Sequence, residues 1–163
     1  MTAYLEIEDA LQVVDRYGFH IRDIGLLASA LARPSTTVMG VEAYPQLAMK
    51  AAALMESVVR FHPLIDGNKR TAWTLMVLML WINGCRHAFS TDEAFDLVVG
   101  VAAGDVSLED SAGMIASHLV ERSPCNSAAA TVMLGSRIGM PRASVTTGTG
   151  PGAKLDARIA GFA

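Results

Sequence analysis

One stretch of this 163-residue chain concentrates chemistry: His62-Pro63-Leu64-Ile65-Asp66-Gly67-Asn68-Lys69-Arg70-Thr71. Nine positions, from His62 to Arg70, bring together an imidazole, a carboxylate, a carboxamide and two cations. The segment joins two apolar runs and stands where a helix should begin. Unpaired N–H groups and the positive end of the helix dipole make such a place attractive to anions. Gly67 permits a tight turn and close approach of a ligand to the backbone. Lys69 and Arg70 are poor neighbours for that dipole end unless an anion joins them, and phosphate is the natural candidate. Asp66 is unsuited to a phosphate but suited to Mg²⁺, a hard cation held by one or two carboxylates plus substrate phosphates. Asn68 could donate to a phosphate oxygen, and His62 could take a proton from an attacking hydroxyl. These parts suit phosphoryl or nucleotidyl transfer, in which catalysis is mostly positioning and charge stabilisation. The same Asp-Gly-Asn run is also an ordinary turn, and His-Pro an ordinary helix end. Residue types alone leave both readings open.

The surrounding pattern predicts an all-α body of helices and short loops, with no alternation long enough to build a sheet. Residues 5–17 read as a helix stopped by Gly18, and residues 24–32 as a second ended by Pro34. Residues 35–44, with β-branched side chains and Gly40, read as a loop or short hairpin. Residues 46–61 form an alanine- and methionine-rich helix stopping at His62-Pro63. The next helix starts near Asn68 and runs to Asn83-Gly84. Its segment LMVLMLWI is apolar on every side, which predicts a central helix enclosed by others. Ser90 and Glu93 have capping-box spacing and open a helix through Val101. Ser107 opens a last helix ending near His118 to Val120. Met49, Met55, Met76 and Met79 are expected to fill the core. His20, His87 and His118 lack any metal-ligand spacing.

Composition limits the remaining classes. At 52% hydrophobic and 18% charged, the chain is not of the disordered type. Through Val120 there are 8 Lys+Arg against 14 Asp+Glu, and afterwards 5 against 2. An acidic body argues against nonspecific duplex binding, which rests on phosphate neutralisation. Two cysteines make no disulfide framework or zinc site. The acidic N-terminus is unlike a signal peptide, and no apolar run reaches membrane length, so a cytoplasmic protein is expected. Nine of the ten aromatic residues precede Ser123. The expected organisation is a helical domain over residues 1–122 and a low-complexity, disordered or non-native tail over 123–163. Within that tail, the run from Gly148 to Leu155 fails as a Walker loop, because Ala153 and Leu155 stand where glycine and a hydroxyl residue are required.

HPLIDGNKRT resembles the signature of the Fic/Doc family, HxFx(D/E)(G/A)N followed by (G/K)R. His62, Asp66, Gly67, Asn68 and Arg70 fill its positions. The resemblance spans roughly residues 5–120, and DIGLLASALARP with GVEAYP looks like the Doc branch. It implies a compact Fic-like bundle with a buried central helix. Leu64 replaces the usual aromatic, Lys69 replaces the glycine of Fic adenylyltransferases, and Trp73 stands where the longer Fic motif has a second arginine. The last two departures match the Doc branch. That branch implies a toxin that uses ATP and Mg²⁺ to phosphorylate a threonine of elongation factor Tu and arrest translation. Carried onto this chain, His62 is the general base, Asp66 the metal ligand, and Gly67, Asn68, Lys69 and Arg70 the phosphate site. By the same analogy, Arg33-Pro34 and the loop to Tyr44 form a flap that aligns a target backbone. The family's inhibitory pattern (S/T)xxxE(G/N) is matched only in part, at Thr2 to Glu6 and at Ser117 to Glu121. Restraint is therefore expected from an antitoxin acting in trans. The rival functions are a Fic-like AMP transferase, which Lys69 opposes, and a noncatalytic helical binding module.

Overall fold

The computed structural model describes residues 1–122. Expectations placed on residues 123–163, the tail and its Walker-like run, lie outside the described residues. Six helices carry the fold: α1 (Ile7–Arg16), α2 (Ile24–Ala32), α3 (Leu47–Phe61), α4 (Asn68–Ile82), α5 (Thr91–Ala103) and α6 (Leu108–Ser117).

Local chemistry sets most helix ends. Asp23 caps α2, its carboxylate accepting from the N–H groups of Gly25 and Leu26 at 2.8 and 3.1 Å. Pro34 then sits in a 3-10 turn, Arg33–Ser35, which ends that helix. Ser90 caps α5 and receives Glu93 in return, as the spacing predicts. Ser107 caps α6 through the Asp110 N–H at 3.1 Å.

Helix α3 is the hub. It packs against α2, α4, α5 and α6, and its small residues Ala48, Ala51, Ala52 and Ala53 are all buried. Side chains that small let neighbouring backbones approach closely, while Leu54, Met55 and Val58 fill the space between. Burying each such large apolar side chain stabilises the fold by about 1.5–3 kcal/mol. The sequence points to α4 as the fully enclosed helix. Its Leu75, Met76, Met79 and Leu80 are indeed buried, but Trp81 and Ile82 at its last turn are 41% and 40% exposed. Of the four methionines expected in the core, Met55, Met76 and Met79 are fully buried, and Met49 is half-buried.

Two small antiparallel sheets depart from the purely helical expectation. β1 (Thr37–Val38) and β2 (Val41–Glu42) form a hairpin, with Val38 opposite Val41. This is the hairpin option for residues 35–44. β3 (Cys85–His87) pairs with β4 (Leu119–Glu121), Cys85 opposite Glu121. Residues 119 and 120, within the expected end of the last helix, therefore belong to a strand, and His87 lies in its partner. Among the described residues, no helix is long and apolar enough to cross a membrane.

Candidate functional site

The α3–α4 connection begins at His62. Proline at 63 disfavours helical geometry for the residue before it, and His62 adopts φ 50°, ψ 57°, the left-handed conformation that ends α3. Its exposed imidazole folds back so that Nδ1 lies 3.2 Å from the Arg60 carbonyl. A carbonyl only accepts, so in the neutral imidazole this contact favours the Nδ1–H tautomer, with Nε2 as the acceptor. That is the tautomer a general base requires.

Beyond His62 the loop is bolted to a distant segment. The Pro63 carbonyl accepts from the N–H groups of Arg22 and Asp23 at 2.8 and 3.0 Å, and Ile65 N–H donates to the His20 carbonyl at 2.9 Å. Arg22 Nη2 also donates to the Phe61 carbonyl, at 2.9 Å. Leu64, in the position that the motif gives to an aromatic, is 1% exposed and anchors the loop from below. Asn68 closes it: its Oδ1 accepts from Leu64 N–H and its Nδ2 donates to the Leu64 carbonyl, both at 2.9 Å. The Asn68 carboxamide thus clamps the loop through Oδ1 and one Nδ2–H, and its second Nδ2–H and backbone N–H are left for a ligand.

Gly67 is required twice. Its φ of 80° is left-handed, and a Cβ there would sit 2.3 Å from the Phe19 ring. Phe19 stacks on Tyr17, with centroids 5.3 Å apart, and lies 6.0 Å from the Arg70 guanidinium carbon. Tyr17 in turn bonds Thr74 of α4 at 3.2 Å. An aromatic pair from the α1–α2 connection therefore supports both the turn and Arg70, the second cation of the helix behind it. Spacing within the motif gives no sign of this, because Phe19 is remote in sequence.

The helix start is electropositive. Gly67 brings no side-chain cap, and the first bond inside α4 runs from Thr71 N–H to the Gly67 carbonyl at 2.9 Å. The N–H groups of residues 68–70 precede that bond. Helices α1, α5 and α6 each carry two acids in the first turn, whereas α4 carries none and has exposed Lys69 and Arg70 instead. Asp66 is exposed, with Oδ1 accepting from Gly67 N–H at 2.6 Å. His62, Asp66, Gly67, Asn68, Lys69 and Arg70 therefore share one turn. Among the described residues no group of three His, Cys, Asp or Glu could hold a metal alone. A single exposed carboxylate beside an electropositive helix end would fit Mg²⁺, which keeps several waters and takes its other oxygens from substrate phosphates.

Comparison with known proteins fits this geometry. Residues 2–80 match the Fic/DOC family. Over 121 residues the chain is 48% identical to "Toxin Doc" of Mycolicibacterium smegmatis, covering 71% of this chain and 93% of that protein. The chain belongs to the Fic/Doc family. Within it, the likeness is to the Doc branch. Trp73, at the place of the second Fic arginine, is buried with its ring edge-on to His87 and Phe89. Neither partial inhibitory match is helical throughout: residues 2–6 precede α1, and Ser117 ends α6 before the strand that holds Glu121.

Proposed function

We propose that this chain is a Doc-type toxin of a toxin–antitoxin pair that phosphorylates a protein hydroxyl. The carrying observation is an exposed imidazole whose Nδ1 meets the Arg60 carbonyl, held on the same turn as an uncapped, doubly cationic helix start. The N–H groups of residues 68–70, with Lys69 and Arg70, bind the phosphates of ATP and stabilise charge as the phosphoryl group moves. Asp66 would hold Mg²⁺, which supplies charge neutralisation and screens the phosphates. His62 Nε2 takes the proton of a threonine hydroxyl, whose oxygen bonds to the γ-phosphorus. The bond from that phosphorus to the β–γ bridging oxygen breaks, and ADP leaves.

The hairpin β1–β2, exposed at Val38, Met39 and Val41, aligns the backbone of the protein substrate by strand addition. Elongation factor Tu is the substrate implied by the Doc resemblance, and its modification in the cytoplasm would halt translation. The name of the 48% identical relative supports the toxin reading, and with it an antitoxin whose segment covers the site in trans. AMP transfer is the second reading, and it is opposed by the lysine at 69, which fills space left open by glycine in Fic adenylyltransferases.

The test is incubation of the protein with Mg²⁺, elongation factor Tu and ATP labelled at the α or the γ position. Label is expected on the factor from the γ position only. Transfer from the α position alone overturns the kinase reading in favour of AMP transfer. No transfer from either, with growth arrest retained by His62→Ala, overturns the enzymatic reading altogether.

A further inference from the structure

Glu56, on α3, is a carboxylate with a separate cation on each oxygen. Oε2 lies 2.7 Å from Arg33 Nη2 and Oε1 lies 3.1 Å from Arg60 Nε, and the Glu56 side chain is only 10% exposed. Charge neutralisation alone would need one of these partners. One comes from the 3-10 turn before the hairpin, the other from α3 itself, one turn on.

Arg33 begins the 3-10 turn before the hairpin. Its Nε donates to the Tyr44 hydroxyl beyond the hairpin at 3.0 Å, and its Nη1 donates to Ser57 Oγ at 3.0 Å. It therefore staples the hairpin's two ends together, and Ser57 and Glu56 both fasten that staple to α3. Arg60 supplies the carbonyl that accepts from His62 Nδ1. A second ion pair, Lys50 to Glu42 at 3.1 Å, pins strand β2 to α3 but makes no contact with the His62 turn. Glu56 thus links the two halves of the site indirectly: through Arg33, which ties the hairpin's ends, and through Arg60, whose carbonyl meets the His62 imidazole.

We propose that Glu56 is a positioning residue: by holding Arg33 and Arg60 at once, it fixes the distance between the substrate-aligning hairpin and the His62 imidazole. The inference rests on the transferase reading, in which that distance decides whether the target hydroxyl meets Nε2. An ion-pair network of this kind couples its members energetically, and small misplacement of a reacting group is costly in rate.

Glu56→Gln keeps the volume and removes the charge. Hydrogen exchange of residues 36–43 in the isolated protein, folding checked by circular dichroism, is expected to speed up about tenfold. In the transfer assay, because both links are cut, the KM for the protein target is expected to rise about tenfold and kcat to fall, with the KM for ATP within about twofold of wild type. Arg60→Gln, at the half-exposed end of the network, cuts only the imidazole side. It is expected to lower kcat and leave hairpin exchange unchanged. Wild-type exchange in a folded Glu56→Gln protein overturns the proposal, as does a uniform loss of activity that tracks the folded fraction. An unaltered kcat in Arg60→Gln also overturns it. Should the wild-type protein transfer no phosphate, the transferase reading fails by itself, and the exchange measurement decides the mechanical link alone.

Discussion

Asn68 and Leu64 exchange two hydrogen bonds of 2.9 Å, the carboxamide of one pairing with both backbone groups of the other. This closes the turn that carries Asp66 and Gly67 and sets the start of α4 relative to His62. Leu64 is fully buried, so neither of its backbone groups has water as a substitute partner. Asn68→Ala should therefore cost about 2–6 kcal/mol, two buried groups each losing about 1–3. Asn68→Asp keeps the acceptor for Leu64 N–H but loses the donor, and should fall between. Chemical denaturation of the three proteins measures the order. Equal stability of Asn68→Ala and wild type would show that the pair does not hold the loop.

Gly67 and Phe19 give a second expectation. Gly67→Ala puts a Cβ into the Phe19 ring and an L side chain into left-handed backbone, a combined cost of about 2–4 kcal/mol. Replacing Phe19 by Leu removes the overlap but not the backbone strain. The double variant should be more stable than the sum of the single effects predicts, by about 1 kcal/mol. Strict additivity in a double-mutant cycle would mean that the ring does not press on the turn.

How much of this was legible in the residues follows from the range of each interaction. Asp23, Pro34, Ser90 and Ser107 act within a few positions, so they mark the ends of α2, α5 and α6 in the sequence itself. The motif likewise lies in one continuous turn and could be read directly. Pairing of Cys85 with Glu121 joins residues 36 positions apart through three-residue strands, too short for alternation to show. The Phe19 support under Gly67 and the binding of Pro63 by residues 22 and 23 are equally nonlocal. The apolar run in α4 concealed its exposed last turn, because a run hydrophobic on all sides does not say which side lacks a neighbour. Asn68 is legible in the sequence as a polar group of the turn, but only the fold shows its carboxamide pairing with Leu64.

His62 separates chemistry from stability. Removing a general base typically lowers the rate by about 10²–10⁴, so His62→Ala should abolish most transfer. Its imidazole is exposed and makes one hydrogen bond, to Arg60, so the fold should survive. The left-handed backbone at 62 adds a sharper comparison: His62→Gly should be more stable than His62→Ala by about 1 kcal/mol, while both are equally inactive. Thermal melting and label transfer on the same preparations test this. A fully active His62→Gly protein would remove the imidazole from the mechanism.

Glu93 carries the acid sensitivity expected of the body. The Ser90 hydroxyl and backbone N–H both donate to its Oε2, at 2.7 and 2.9 Å, and His118 Nε2 lies 3.5 Å from Oε1. The Ser90 hydrogen bonds, aided by His118, hold its carboxyl below the usual 4.5. A folded-state pKa that is lowered means that the folded protein binds this proton less readily than the unfolded chain does. The resulting stabilisation is fully present above about pH 4.5 and disappears as pH falls through the lowered value. Glu93→Gln should therefore melt below wild type at pH 7, with the gap closing toward pH 3. Because Glu93 is exposed, solvent and salt screen part of the effect, and the gap at pH 7 should shrink in 1 M salt, where the Debye length falls to about 3 Å. A melting-temperature difference that stays constant from pH 7 to pH 3 would assign the loss to packing at the α5 cap rather than to the charge on Glu93.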